Sequence, residues 1–228
     1  MHAHFDAPLN TGFALPFRLI APPSPATRLL VLSHGVGGNE TNLAALAAVV
    51  PDDTAIALVR GPLALGPAQY AWFQVHFDNN GPHPDLQAAE HSRQLLARFI
   101  AQLQAHLKLP PQRTVAAGFS QGGIMSASIG LVTPEHVAGF AILAGRILPE
   151  IRPQIAPAAE LAHLQAFIGH GVDDTKLPVS WADKAEQLLG ETGVRYTTRR
   201  YPGDHGVPAQ MQQDFGRWFA EVTAVAAS

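Results

Sequence analysis

The 228-residue chain contains no cysteine, which excludes disulfide bridges, thiolate metal sites and a cysteine nucleophile. Any covalent chemistry has to run through another side chain. Charge is scarce too: Asp, Glu, Lys and Arg together make up 14% of the residues, and the formal net charge is −3. With the basic residues scattered, the chain has no basic stripe, and no nucleic-acid partner is expected. No apolar run reaches the roughly 20 residues that a bilayer-spanning helix needs, so stable membrane insertion is not expected. The first ten residues carry histidine and acidic side chains but no basic segment of a secretion signal, and a cytoplasmic protein is expected.

What is present is apolar. Hydrophobic residues make up 47% of the chain, a composition that suits a large buried core, and a length of 228 residues is that of one α/β unit spanning 1–228. Short apolar runs alternate with longer helical patterns, the signature of a mostly parallel central sheet with helices on both faces. Buried-strand candidates are 28–33, 54–59, 113–118, 137–144, 164–168 and 194–201. Helical spacing of apolar residues marks 41–49, 85–107, 124–131, 178–189 and 207–225. The cluster Pro22-Pro23-Ser24-Pro25 reads as a turn between two early strands, not as a domain boundary. The stretch 61–84 holds four prolines with Trp72, Phe73 and Phe77, too broken for one regular element and too aromatic for a solvated linker.

Chemistry is concentrated in Gly118-Phe119-Ser120-Gln121-Gly122, a G-x-S-x-G nucleophile elbow between a strand and a helix. Such a turn needs a positive φ at the serine and neighbours without Cβ atoms, so that strand and helix can approach closely. A lone match of this kind arises by chance in glycine-rich sequence, and its flanking strand and helix are what give it weight. Opening a helix, the Gln121 amide is a candidate oxyanion donor. The second is expected from the loop that follows an earlier strand, His34-Gly35-Val36-Gly37-Gly38, at the Val36 amide.

The acid and the base of this fold follow the nucleophile in the order serine, acid, histidine. His205, flanked by glycines after a late strand, is the base candidate. Of the other histidines, His34 reads as a buried structural residue, His2 and His4 fall at the terminus, and His91, His106 and His136 lie on helices or their ends. His170 precedes the acid candidates and fits the order poorly. The acid comes from Asp173 or Asp174 on one short loop, and periodicity does not choose between them. Trp72, Phe73 and Phe77 are candidates for an apolar acyl pocket, with core packing under a long loop an equally weighted alternative.

At these residues the chain resembles the phospholipase/carboxylesterase family of α/β hydrolases, which includes bacterial carboxylesterases and acyl-protein thioesterases. The resemblance spans nearly the whole chain and rests on His34-Gly35-Val36-Gly37-Gly38-Asn39, Gly118 to Gly123, His170-Gly171 with Asp174 and Pro178, and Gly203 with His205. It implies a Ser120, Asp174, His205 triad, choosing Asp174 by its spacing from His170 and Pro178, and oxyanion amides at Val36 and Gln121. It further implies an acyl-pocket loop from Arg60-Gly61-Pro62 to Trp72-Phe73. Asp204 beside the histidine and the stretch from Asn79 to Pro84 depart from the pattern.

The reading that results is a serine carboxylesterase for short- to medium-chain acyl esters, with no metal and no organic cofactor. An acyl-protein or acyl-CoA thioesterase would use the same triad. A lyase or acyltransferase, or a binding protein without turnover, stands further off, since the serine, histidine and aspartate candidates are all present. A homodimer is compatible with the resemblance, although no residue argues for one.

Overall fold

The computed structural model describes residues 7–78 and 81–224, except for the side chains at 77, 78, 81 and 82. The strands are β1 (Phe17–Ile20), β2 (Arg28–Ser33), β3 (Thr54–Val59), β4 (Leu63–Gly66), β5 (Gln69–Ala71), β6 (Val75–Asp78), β7 (Gly81–Pro84), β8 (Thr114–Phe119), β9 (Gly139–Leu143), β10 (Gln165–Gly171) and β11 (Arg195–Tyr201). The α-helices are α1 (Leu86–Leu107), α2 (Gln121–Val132), α3 (Ala158–Leu161), α4 (Ser180–Thr192) and α5 (Ala209–Val222). Seven strands form one sheet in the order β1-β3-β2-β8-β9-β10-β11. Only β1 runs antiparallel to its neighbour; the other pairings are parallel.

The sheet is covered on both faces, which is why β2, β3 and β9 read as unbroken apolar runs instead of alternating ones. Leu29, Val31, Ala57, Phe140 and Ile142 pack into one core with residues of α1, α2 and α4. Their neighbours Leu30, Leu32, Leu58, Ala141 and Leu143 pack into a second core with α5. Helix α2 is buried along residues 121–131, as expected of a helix that is apolar all round. Its serines are satisfied internally: the Ser126 and Ser128 hydroxyls donate to the carbonyls of Gly122 and Ile124 at 3.0 and 2.9 Å.

Two sequence expectations change. Residues 41–49 do not form an α-helix but a turn followed by a 3₁₀ helix, Ala44–Val49. Asn39 and Asn42 are the cause. The Asn39 side chain accepts from the Thr41 amide at 3.0 Å, and the Asn42 side chain accepts from the Asn39 amide at 2.7 Å, local bonds that compete with a helical first turn. The stretch 61–84 is not irregular throughout, since it carries the antiparallel hairpins β4–β5 and β6–β7.

Strand order reverses between β2 and β8: the chain proceeds from β2 outward to β3, then returns to β8 on the other side of β2. The carboxyl ends of two such strands leave a crevice between their diverging loops, the usual ligand position in an open α/β sheet. Ser33 lies opposite Gly118 in the register, so the glycine loop and the serine elbow emerge side by side. A Cβ on Gly122 would lie 1.9 Å from the Ser33 carbonyl oxygen and 2.6 Å from that of His34. Gly122→Ala is therefore expected to lower stability by about 1–3 kcal/mol, the range for overpacked sites, with Tm falling roughly 2–4 °C per kcal/mol for a chain of this size. A melting curve within a degree of the native one would contradict this contact.

Candidate active site

Ser120 joins β8 to α2 with φ 53° and ψ −115°. A non-glycine residue in such a conformation costs of order 1–3 kcal/mol and persists only where its surroundings dictate it. Here its amide donates to the Leu143 carbonyl on β9 at 2.9 Å, and its carbonyl accepts from the Ile124 amide at 3.2 Å. The turn presents the hydroxyl at the end of the sheet.

His205 comes from the loop after β11. Its Nε2 lies 3.0 Å from the Ser120 Oγ and its Nδ1 2.7 Å from the Asp174 Oδ2. A neutral imidazole with its proton on Nδ1 satisfies both contacts, donating to the carboxylate and accepting from the hydroxyl. The Phe119 ring supports the imidazole, with centroids 4.8 Å apart.

The Asp174 side chain is fully buried. Its Oδ1 accepts from the amides of Lys176 and Leu177 at 2.9 and 2.7 Å. Burial pushes this carboxyl up, but the hydrogen bonds from His205, Leu177 and Lys176 outweigh burial and hold it below its ordinary value. It therefore stays ionised where a histidine base works. Asp173 points its carboxylate to the Gly203 amide at 3.4 Å instead, so it is Asp174 that meets the imidazole. His170, the rival histidine, is fully buried and its Nε2 donates to the Leu177 carbonyl at 2.7 Å, supporting the acid loop. His2 and His4 lie outside the described residues.

Asp204 ties the acid and base loops together. Its Oδ1 accepts from the amide and hydroxyl of Thr175 at 2.8 and 2.9 Å and from the His205 amide at 2.7 Å. The Asp173 amide in turn donates to the Gly203 carbonyl at 3.1 Å. The two loops cross-brace each other in both directions.

On the other side of Ser120 stands the glycine loop. A Cβ on Gly35 would lie 3.4 Å from the Ser120 Cβ, which measures how closely this loop approaches the nucleophile. The Gly37 amide donates to the Tyr70 carbonyl at 2.9 Å and the Gly38 amide to the Gly35 carbonyl at 3.1 Å. Among the described residues, the amides of Val36 and Gln121 have no protein acceptor, so both remain available to a ligand. His34 is buried and spoken for: its Nδ1 donates to the Gly35 carbonyl at 2.7 Å, and its Nε2 accepts from the Gly61 amide at 3.0 Å. Burial lowers its pKa, holding the ring neutral.

Trp72 and Phe73 are 1% and 2% exposed and belong to the core. They are not among the residues that line the cavity beside the site, and their backbone is tied to the Gln121 side chain. The Gln121 side chain accepts from the Trp72 amide at 2.8 Å and donates to the Phe73 carbonyl at 2.8 Å. The Trp72 indole donates to the His34 carbonyl at 2.9 Å. Phe77 was the third pocket candidate, and its side chain lies outside those described. The cavity itself, about 500 Å³, is lined by residues 35–38, Asn42, Leu43, Ala45, Leu46, Phe119, Val207 and Gln212. Of these, Asn42, Leu43, Ala45, Leu46, Phe119, Val207 and Gln212 were not singled out in the sequence as pocket residues. They come from three separate stretches of chain, and no local signal marks them. Among the described residues, no group of three or more His, Asp or Glu side chains is placed to hold a metal ion, and no helix is long and apolar enough to cross a membrane.

One further group was missed in the sequence. Glu40, directly after the glycine loop, is buried between two arginines. It accepts from the Arg18 Nε at 2.9 Å and from the Arg60 Nε and Nη2 at 2.8 Å each. Arg60 also stacks on the Tyr70 ring, 4.5 Å from its centroid. Burial opposes ionisation of Glu40, but the bonds from Arg60 and Arg18 prevail and bring its pKa from 4.5 to about 2.

A carboxylate, an imidazole and a hydroxyl joined in that order at the carboxyl edge of a mostly parallel sheet place the chain among the α/β hydrolases. Within that class it belongs to the phospholipase/carboxylesterase family, whose model matches residues 16–221. The chain is 24% identical over 185 residues to acyl-protein thioesterase 1 of Kluyveromyces lactis, covering 75% of this chain and 80% of that protein. The crystal structure of a carboxylesterase from Mesorhizobium loti superposes with a TM-score of 0.81 at 23% identity, over 94% of this chain and 98% of that one. The Bacillus cereus carboxylesterase superposes with a TM-score of 0.79 at 21% identity, over 91% of this chain and 94% of that one.

Two predictions follow from these networks. Because the folded pKa of Glu40 lies below its ordinary value, the stability it contributes is present above pH ~4.5 and is lost as pH falls toward 2. Glu40→Gln is thus expected to be less stable than the native protein at pH 7, with the gap, on the order of 3 kcal/mol, closing at acid pH. Denaturant titrations at pH 7, 4 and 2.5 measure it, and a gap independent of pH would refute it. For Asp204, Ala should lower kcat by about 10- to 100-fold, the cost of misplacing a catalytic group. Asn keeps an oxygen for the same donors and should retain most activity; equal losses in both variants would mean that the charge matters, not the brace.

Proposed function

We propose that the chain is a serine carboxylesterase that hydrolyses short- to medium-chain acyl esters through an acyl-enzyme. The observation that carries this reading is the continuous hydrogen-bonded chain from Asp174 through His205 to Ser120 on a strained elbow. As the ester carbonyl approaches, His205 Nε2 removes the Ser120 proton and Oγ bonds to the carbonyl carbon. The charge on the carbonyl oxygen is held by the amides of Val36 and Gln121, each contributing roughly 10² to 10³ in rate. His205 then passes its proton to the leaving oxygen as the carbon–oxygen bond breaks, and the alcohol departs. Water repeats the sequence on the acyl-enzyme: His205 takes its proton as the water oxygen adds to the carbonyl, then returns that proton to Ser120 Oγ as the bond from Oγ to the acyl carbon breaks and the acid departs. Asp174 keeps the Nδ1 proton in place and stabilises the imidazolium.

A thioester substrate would use the same steps with sulfur leaving, and the name of the Kluyveromyces lactis relative favours testing it. The proposal carries with it a single functional domain, small-molecule substrates, no cofactor, no nucleic-acid partner, a cytoplasmic location without stable membrane insertion, and a homodimer as an open assembly state.

The test is hydrolysis of p-nitrophenyl esters from acetate to palmitate, beside acyl thioesters of matched length, by the native protein and variants. Native turnover is expected to fall with long chains and to vanish in Ser120→Ala. Asp174→Asn should lose roughly 10³- to 10⁴-fold in kcat, with Asp173→Asn near native. Turnover of thioesters alone would shift the reading to a thioesterase. Absence of turnover together with failure of a serine-directed phosphonate to label the protein would leave a binding protein.

A further inference from the structure

We propose that the 500 Å³ cavity between the glycine loop and the start of α5 is the subsite for the leaving group, and that it selects esters of uncharged, apolar alcohols. The inference rests on the esterase reading above and adds the half of the substrate that the cavity takes.

Its position decides which half. The base that deprotonates Ser120 must later hand that proton to the departing oxygen. The departing oxygen therefore lies within hydrogen-bond reach of His205 Nε2, and the rest of the alcohol continues on the side of the base. The cavity borders that side through neighbours of the pair, its lining holding neither Ser120 nor His205 themselves. One wall is Val207, two residues beyond His205, and another is Phe119, whose ring centroid is 4.8 Å from that of the imidazole. The opposite wall begins at Gly35 and Val36, the loop that carries an oxyanion amide. An ester held by both the base and that amide has its alcohol portion directed between these walls.

The lining decides the chemistry. Leu43 and Leu46 from the turn and 3₁₀ helix close the far side, and no lining residue is charged. The volume lies within the range of small-molecule sites, and an uncharged lining, with Val36, Leu43, Leu46, Phe119 and Val207 beside the polar Asn42 and Gln212, favours an uncharged alkyl or aryl group over a charged one. A phosphorylated or carboxylated leaving group would be desolvated there without a partner. Trp72 and Phe73 are sealed in the core and do not open on this cavity.

The test varies the two halves of the ester independently. One series keeps the acetyl group and runs from methyl to butyl to hexyl acetate; the other keeps the methanol portion and runs from methyl acetate to methyl octanoate. Ala45 lines the cavity yet is exposed, so Ala45→Trp narrows the cavity without crowding the core. It is expected to lower the hexyl-to-methyl ratio of kcat/KM at least tenfold while leaving the octanoate-to-acetate ratio within twofold. Leu46→Ala, which widens the cavity, should move the optimum to longer alcohols. If Ala45→Trp instead changes the acyl-length ratio and leaves the alcohol ratio alone, the cavity is an acyl site and the proposal is overturned. A second readout does not need turnover: hexan-1-ol is expected to raise the Tm of the native protein and of Ser120→Ala, but not of Ala45→Trp. Loss of all ester hydrolysis with this shift intact would sink the esterase reading and keep the cavity's preference for an apolar alcohol. No shift in the native protein would sink the cavity assignment itself.

Discussion

The approach of the Gly122 backbone to the carbonyls of Ser33 and His34 is the contact on which the site is built. Two neighbouring parallel strands release their chains at the same level, and only a position without a Cβ lets the start of α2 settle against the end of β2. Everything that touches the nucleophile inherits its place from that contact. Ser120 is turned into a positive φ, and the glycine loop is brought alongside it. The Gln121 side chain, directed the other way, holds the Trp72-Phe73 backbone, and the Trp72 indole returns to the His34 carbonyl. The elbow is thus held both by its own bonds to Leu143 and Ile124 and by these bonds between the segments around it.

A second layer of order is electrostatic. Two buried carboxylates, Glu40 and Asp174, are kept ionised against the pull of burial. Glu40 is paired with two guanidinium groups and fixes the exit of the glycine loop, with Arg60 stacked on the Tyr70 ring. Asp174 accepts from two amides on Oδ1 and meets His205 Nδ1 on Oδ2, with His170 Nε2 3.2 Å from that same oxygen, a set without a permanent cation. The difference fits their places: a permanent cation suits a structural pin, whereas a histidine beside Asp174 can gain and release a proton. Asp204 and Asp173 cross-brace the loops after β10 and β11, so the distance from acid to base is set by loop-to-loop bonds as well as by the strands beneath.

The reversal of strand order between β2 and β8 divides the ground above the sheet. The long segment after β3 runs to the face covered by α1 and α2 and seals Trp72 and Phe73 there. The base loop runs into α5 on the opposite face, and the cavity opens between that helix and the turn after the glycine loop. The nucleophile stands at the boundary, with its base on the side of the open cavity.

Much of this was legible in the amino-acid order because it depends on local rules. Strands buried on both faces are continuous apolar runs, the elbow needs its glycines at set offsets, and the fold's chain order points to a late histidine at position 205. Where a side chain's direction depends on a loop's exact path, residue periodicity was silent: it left Asp173 and Asp174 equivalent, the resemblance chose Asp174, and the bonds of residues 174–177 show how that carboxylate is turned toward the imidazole. Trp72 and Phe73 carried an aromatic signal that is the same for a pocket wall and a core plug, and burial against α1 decided for the core. Asparagine side chains replaced a helix at 41–49 with a tighter turn. The cavity lay beyond sequence reading, because its walls are far apart along the chain and meet only when the sheet brings the segment after β2, the end of β8 and the start of α5 to one edge.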